Sequence, residues 1–278
     1  MNKEEARSQF IEMLASDESR LELDRAALLI AAEEYPHLKI ENYLDRLDLL
    51  ADEARRSDDL DAEPLARIMR LSDLLFNDLG FHGNMDNYFD ARNSFLNDVI
   101  DRRMGIPITL SVVLIEVARR VGLKLFGVGM PGHFIVKYAD EAVEILIDPF
   151  NGGRLLSEEG CRDLVKQTHD ETVQFHPSFL YAATKKQILG RMLQNLKGIY
   201  AQAKDHHKTL SVIERLLLIN PDAASDLRDR GLVYAAMNRY TQAQEDLESY
   251  LRRLPNSEDA KDIQEVVKRL RQRQAGLN

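Results

Sequence analysis

Cysteine is almost missing from this chain: Cys161 is the only one. That excludes an intrachain disulfide and any site built from several thiolates, and it suits a reducing compartment. A basic excess is missing as well. Asp and Glu number 46 against 37 Lys and Arg, a formal charge of −9, so the broad phosphate-backbone affinity of a nucleic-acid binder is not expected. No apolar run approaches the roughly 20 residues needed to cross a bilayer. The opening "MNKEEARSQFIEMLASDESR" alternates charged with apolar residues and lacks the apolar block of a signal peptide. A cytoplasmic protein without a membrane span is the expectation.

What is present is a globular composition, 44% hydrophobic over 278 residues, enough for one large core or two ordinary ones. Residues 3 to 78 place Leu23, Ala26, Ala27 and Ile30, then Leu44, Leu47 and Leu50, at three-to-four spacing. This predicts several amphipathic helices, punctuated by Pro36 and Pro64. After Gly80 the chain reads as loop until Asp90, then as helix with Phe95, Leu96, Val99 and Ile100 on one side. Pro107 suits the first turn of the next helix, whose stripe of Val113, Leu114, Val117, Ala118 and Val121 runs to Gly122.

The runs "KLFGVGM" and "HFIVKY" are too short for helices and read as strands, and "AVEILIDPFNGG" supplies a third that ends at Asp148. Helix followed by three strands predicts a mixed layer with a largely antiparallel sheet. In "SEEGCRDLVKQ", Ser157 suits a helix N-cap, and Cys161, Leu164 and Val165 form the buried stripe, which makes the lone thiol a core residue.

From about Tyr181 the chain is helical and repetitive. Pro221 and Pro255 lie 34 residues apart, as do Tyr200 and Tyr234, and Gly231, Tyr234, Ala243 and Leu247 fall where a tetratricopeptide helix pair wants its small and large packing residues. A last helix from about Asp259 to Gln274 caps the stack. Tyr200, Gly231 and Tyr234 mark the framework of a protein-binding repeat.

His133 opens one strand and Asp148 closes the next, so a hairpin brings them together. The pair is either a core histidine with its hydrogen bond satisfied or part of a catalytic or binding group. Asn93 and Asn97, one helical turn apart, either line a polar pocket or cap and solvate their helix, and Asn151 either makes a turn or donates to a ligand beside Asp148. His206 and His207, in a repeat loop with Lys204 and Lys208, have no further ligands at metal-site spacing, and neither a metal nor a cofactor is expected.

The order of these pieces resembles the transglutaminase-like, papain-related fold. More specifically, "RNSFLNDVIDRRMGIPITLSVVLIEVARRVGL", "GVGMPGHFIVKY" and "LIDPFNGG", followed by tetratricopeptide repeats, resemble the bacterial SirB-type family from about residue 85 onward. The resemblance implies an α+β core with N-terminal helices and a C-terminal all-α repeat stack, divided as 1–79, 80–180 and 181–278. It also implies roles: a cysteine at the helix start as nucleophile, the strand histidine as its base, and the aspartate before proline as the orienter. His133 and Asp148 match the last two. The nucleophile falls near Pro107 or Ile108, and neither side chain attacks a carbonyl.

Two function classes follow. One is a non-catalytic module in which the His133 and Asp148 dyad is vestigial, Asn93, Asn97, Pro107, Ile108 and Asn151 shape a pocket, and the repeats bind a protein or peptide segment. The other is an amide or ester hydrolase or acyltransferase that uses Thr109 or Ser111 with the dyad, in the positive field of the helix terminus.

Overall fold

The computed structural model describes residues 1–168 and 173–275. Residues 1–192 form one compact unit, and a second begins at Leu193. The first unit starts with α1 (Lys3–Ala15), α2 (Leu23–Ala32), α3 (Ile40–Ser57) and α4 (Pro64–Ser72), the last running into a π-helical turn at Asp73–Asp78. Pro64 opens α4 at a position where its missing N–H costs nothing. Then come β1 (His82–Gly83), a short turn at Ala91–Ser94, α5 (Leu96–Arg102), β2 (Met104–Gly105) and α6 (Pro107–Arg120).

Next are β3 (Phe126–Met130), β4 (His133–Ala139), β5 (Glu144–Asp148), β6 (Arg154–Leu156) and α7 (Glu158–Thr168). The strands form one antiparallel sheet in the order β3-β4-β5-β6. β1 and β2 make a separate parallel pair, His82 opposite Met104. Neither β6 nor this pair was expected, because segments of two or three residues carry no readable alternation.

Every residue of α6 from Pro107 to Ala118 is buried. The sequence suggests a stripe; the structure gives a helix enclosed by β4 and by α2, α3 and α5, which is the situation of a helix apolar all round. α7 caps the first unit's other apolar cluster, in which Cys161, Leu164 and Val165 meet Val128, Met130, Ile135 and Leu146 of the sheet. Ser157 Oγ accepts from Gly160 N at 3.1 Å, the expected cap.

α8 (Lys185–Gln202) crosses from the first unit into the second, which continues with α9 (His206–Ile219), α10 (Ala224–Ala236), α11 (Tyr240–Arg253) and α12 (Ala260–Ala275). α10 and α11 pair as a hairpin around Tyr234, Ala243, Leu247 and Tyr250, and Ile263, Val267 and Leu270 of α12 close that cluster. A Cβ on Gly231 would stand 2.7 Å from Leu247 Cγ and 3.2 Å from the Ala243 carbonyl oxygen, so glycine is what lets α10 meet α11.

Candidate functional site

β4 and β5 run antiparallel with Val136 opposite Ile147, so the first residue of one and the last of the other share an end of the sheet. His133 Nε2 lies 2.9 Å from Asp148 Oδ1, and the two residues are only 7% and 0% exposed. The carboxylate does more than hold the ring. Oδ1 also accepts from the Asn151 backbone at 3.3 Å, and Oδ2 accepts from Asn151 Nδ2 at 2.7 Å and from the Arg154 guanidinium at 3.5 Å. One buried acid therefore closes the Pro149–Asn151 turn and orients the imidazole. Burial opposes its charge, but the bonds and charge of His133, the Asn151 amide and the Arg154 charge hold its carboxyl below the usual aspartate range.

Phe150 packs edge-on against the His133 ring, centroids 6.1 Å apart, and against Tyr88 at 6.0 Å. A Cβ on Gly83 would sit 2.6 Å from the Phe150 ring, so β1 needs glycine where the ring lies on it. The turn carrying Phe150 packs against α6. Among the described residues His133 Nδ1 makes no hydrogen bond.

The other sequence-derived candidates divide. Asn151 joins the dyad. Asn93 is buried in the loop before α5: its Oδ1 accepts from Asn84 at 3.0 Å, and its Nδ2 donates to the carbonyls of Asn87 at 2.8 Å and Tyr88 at 3.2 Å. It braces the loop that presents Tyr88. Asn97 is not brought to the dyad; it lines a different cleft, with residues of the α2–α3 connection. Pro107 and Ile108 are buried at the α6 start.

Both hydroxyl candidates are bonded elsewhere. Thr109 Oγ1 lies 2.7 Å from the Asn93 carbonyl and accepts from Ile106 N at 3.2 Å, closing the helix terminus. Ser111 Oγ donates to the Pro107 carbonyl at 2.7 Å, one turn back. Neither bonds to His133. Cys161 is fully buried, and burial, then the charge of Asp148, push its thiol up to about 11.

Tyr200, Gly231 and Tyr234 are buried framework residues, so they shape the hairpins and offer no contact surface of their own. His206 and His207 open α9 behind the Asp205 cap and are not in a loop as expected. Among the described residues no group of three His, Cys, Asp or Glu is placed to hold a metal, and no helix is long and apolar enough to cross a membrane. Phe150, Gly83, Tyr88 and Arg154 are not marked as site residues by the sequence pattern, and the aromatic directly after "DP" is the available signal.

Comparison with known proteins gives the class first. Residues 41–194 match the family model described as the transglutaminase-like superfamily, and residues 196–268 match a tetratricopeptide repeat. The chain belongs to the transglutaminase-like superfamily and to the UPF0162 group of bacterial proteins. A UPF0162 protein of Xylella fastidiosa strain 9a5c is 38% identical over 87% of this chain and 87% of its own length. UPF0162 protein PA3419 of Pseudomonas aeruginosa is 30% identical over 82% of this chain and 83% of its own. UPF0162 protein YchA of Escherichia coli K12 is 28% identical over 73% and 78%. No solved structure matches.

Proposed function

We propose that this is a non-catalytic transglutaminase-like protein that works as an interaction or regulatory module, its repeats holding a protein or peptide segment. In this reading residues 1–79 brace the core, 80–180 carry the vestigial dyad and 181–278 bind the partner. One observation carries it: the base-and-orienter pair is intact, with His133 2.9 Å from Asp148, while Pro107 and Ile108 occupy the helix start where the resemblance expects a thiol. A base without a nucleophile forms no covalent intermediate.

The lone cysteine cannot substitute, because it is buried in the sheet cluster with a raised thiol pKa. The hydrolase or acyltransferase alternative loses support because Thr109 and Ser111 give their protons to main-chain carbonyls. The tetratricopeptide repeat matched over residues 196–268 supports the interaction part of the reading. A cytoplasmic setting belongs to the proposal and rests on the single cysteine.

The test is turnover. The full chain, given a p-nitrophenyl ester and a p-nitroanilide, should release product at the background rate, and His133→Ala should leave that rate unchanged. Release above background that disappears both in His133→Ala and in Ser111→Ala or Thr109→Val would establish the enzyme instead.

A further inference from the structure

We propose that the cleft between the α2–α3 connection and α5 binds a small organic cation, a primary ammonium or a guanidinium. The cleft has a volume of about 650 Å³, within the range of small-molecule sites. Tyr35, Tyr43 and Lys39 line one side; Asn97, Asp98 and Asp101 of α5 line the other. Spacings of three and four residues put those three polar side chains on one face of the helix.

Asn97 is the observation that points to a ligand. It is 4% exposed, and its Oδ1 has no hydrogen-bond partner among the described residues. A buried amide oxygen without a donor is unfavourable for the fold, and an N–H entering the cleft relieves it. Asp98 is the second. It accepts from the Tyr35 hydroxyl at 2.5 Å but has no ion pair among the described residues, whereas Asp101 already has Arg46 and the Tyr43 hydroxyl. Burial raises the Asp98 carboxyl pKa against the Tyr35 hydrogen bond and the more distant Arg102 and Arg92 charges, neither of which forms an ion pair with it among the described residues.

The chemistry of the ligand follows from the same walls. Glu34, Asp98 and Asp101 outnumber Lys39 along the cleft, which disfavours an anion. The absence of a metal-holding cluster among the described residues disfavours a bare ion, which leaves a cation carrying its own N–H donors. The aromatic wall suits such a group: the Arg46 guanidinium already lies 5.5 Å from the Tyr43 ring centroid.

The experiment titrates the isotope-labelled full chain with agmatine and with n-butylammonium and follows backbone amide shifts by NMR, with n-butanol as the neutral control. Saturable shifts confined to residues 34–43 and 96–102 are expected for both cations and not for butanol. Asp98→Asn should weaken agmatine binding at least tenfold, and His133→Ala should leave it unchanged. Should Asp98→Asn fail to fold, Lys39→Glu on the surface serves, and it should tighten binding about threefold by removing a like charge. A capped arginine amide that outcompetes agmatine identifies a peptide side chain as the source of the cation; the reverse order identifies a free amine. The proposal is overturned by no saturable shift, by equal shifts with butanol, by an affinity unaltered in both cleft variants, or by loss of binding in His133→Ala.

Discussion

Glu116 shows what burial does to a single side chain. In sequence it reads as one more charged residue before the two arginines that end a helix, yet it is 2% exposed, because α6 is enclosed on all sides. Arg120 reaches Glu116 at 3.0 Å, Asp24 of α2 at 2.7 Å and Asp48 of α3 at 2.6 Å, and Arg119 reaches Glu116 at 2.8 Å. Burial, then the neighbouring Asp24 charge, push the Glu116 carboxyl up to about 7 from its ordinary 4.5. Asp24 stays below its ordinary value despite burial, through Arg120 and the Arg25 amide. The pair thus keeps a proton on Glu116 in mild acid. Between about pH 4.5 and 7 the folded state binds more protons than the unfolded one, so stability falls as pH rises through that window. Glu116→Gln has no proton to lose. Its stability relative to the parent should rise by on the order of 2 kcal/mol between pH 5 and 8, measured by urea unfolding at several pH values; a difference that is flat or falls with pH would contradict the shared proton.

Among the elements, those with long periodic patterns were legible and those fixed by packing were not. The helices of residues 3–78, α6, the three long strands and the α10–α11 hairpin all follow from spacing of apolar residues and from proline and glycine punctuation. β1, β2 and β6 do not: β1 and β2 pair where the Phe150 ring lies on Gly83, a contact between segments distant in sequence, and the three residues of β6 are too few to show an alternation. The dyad was legible because two strand ends in a hairpin must meet, whereas the Asn97 cleft was not, since nothing in the sequence relates α5 to residues 34–43. Gly231 gives the element-scale prediction. Gly231→Leu forces a side chain into Leu247 and the Ala243 carbonyl and should cost about 1–3 kcal/mol by overpacking, seen as a lower Tm of the second unit. A variant that melts like the parent would mean that α10 and α11 do not approach there.

At the scale of the whole molecule, a transglutaminase-like core holds His133 against Asp148, has Pro107 and Ile108 at the start of α6, and is followed by tetratricopeptide repeats; the proposed function treats the first pair as a base and orienter without a nucleophile. The fold alone awards no activity; the distinction rests on whether the dyad still serves the start of α6. The most direct measurement restores the missing group in the full chain: Ile108→Cys and Pro107→Cys, each with Cys161→Ala to remove background labelling, and each with and without His133→Ala. The quantity read is the rate of iodoacetamide alkylation against pH, since a neighbouring imidazole favours the reactive thiolate. The account predicts that at least one new thiol reacts several-fold faster at neutral pH than a free cysteine and slows to the free-cysteine rate when His133→Ala is added. If both thiols react at rates independent of His133, the dyad does not address the helix start, and the reading of this core as a silenced transglutaminase-like site is contradicted.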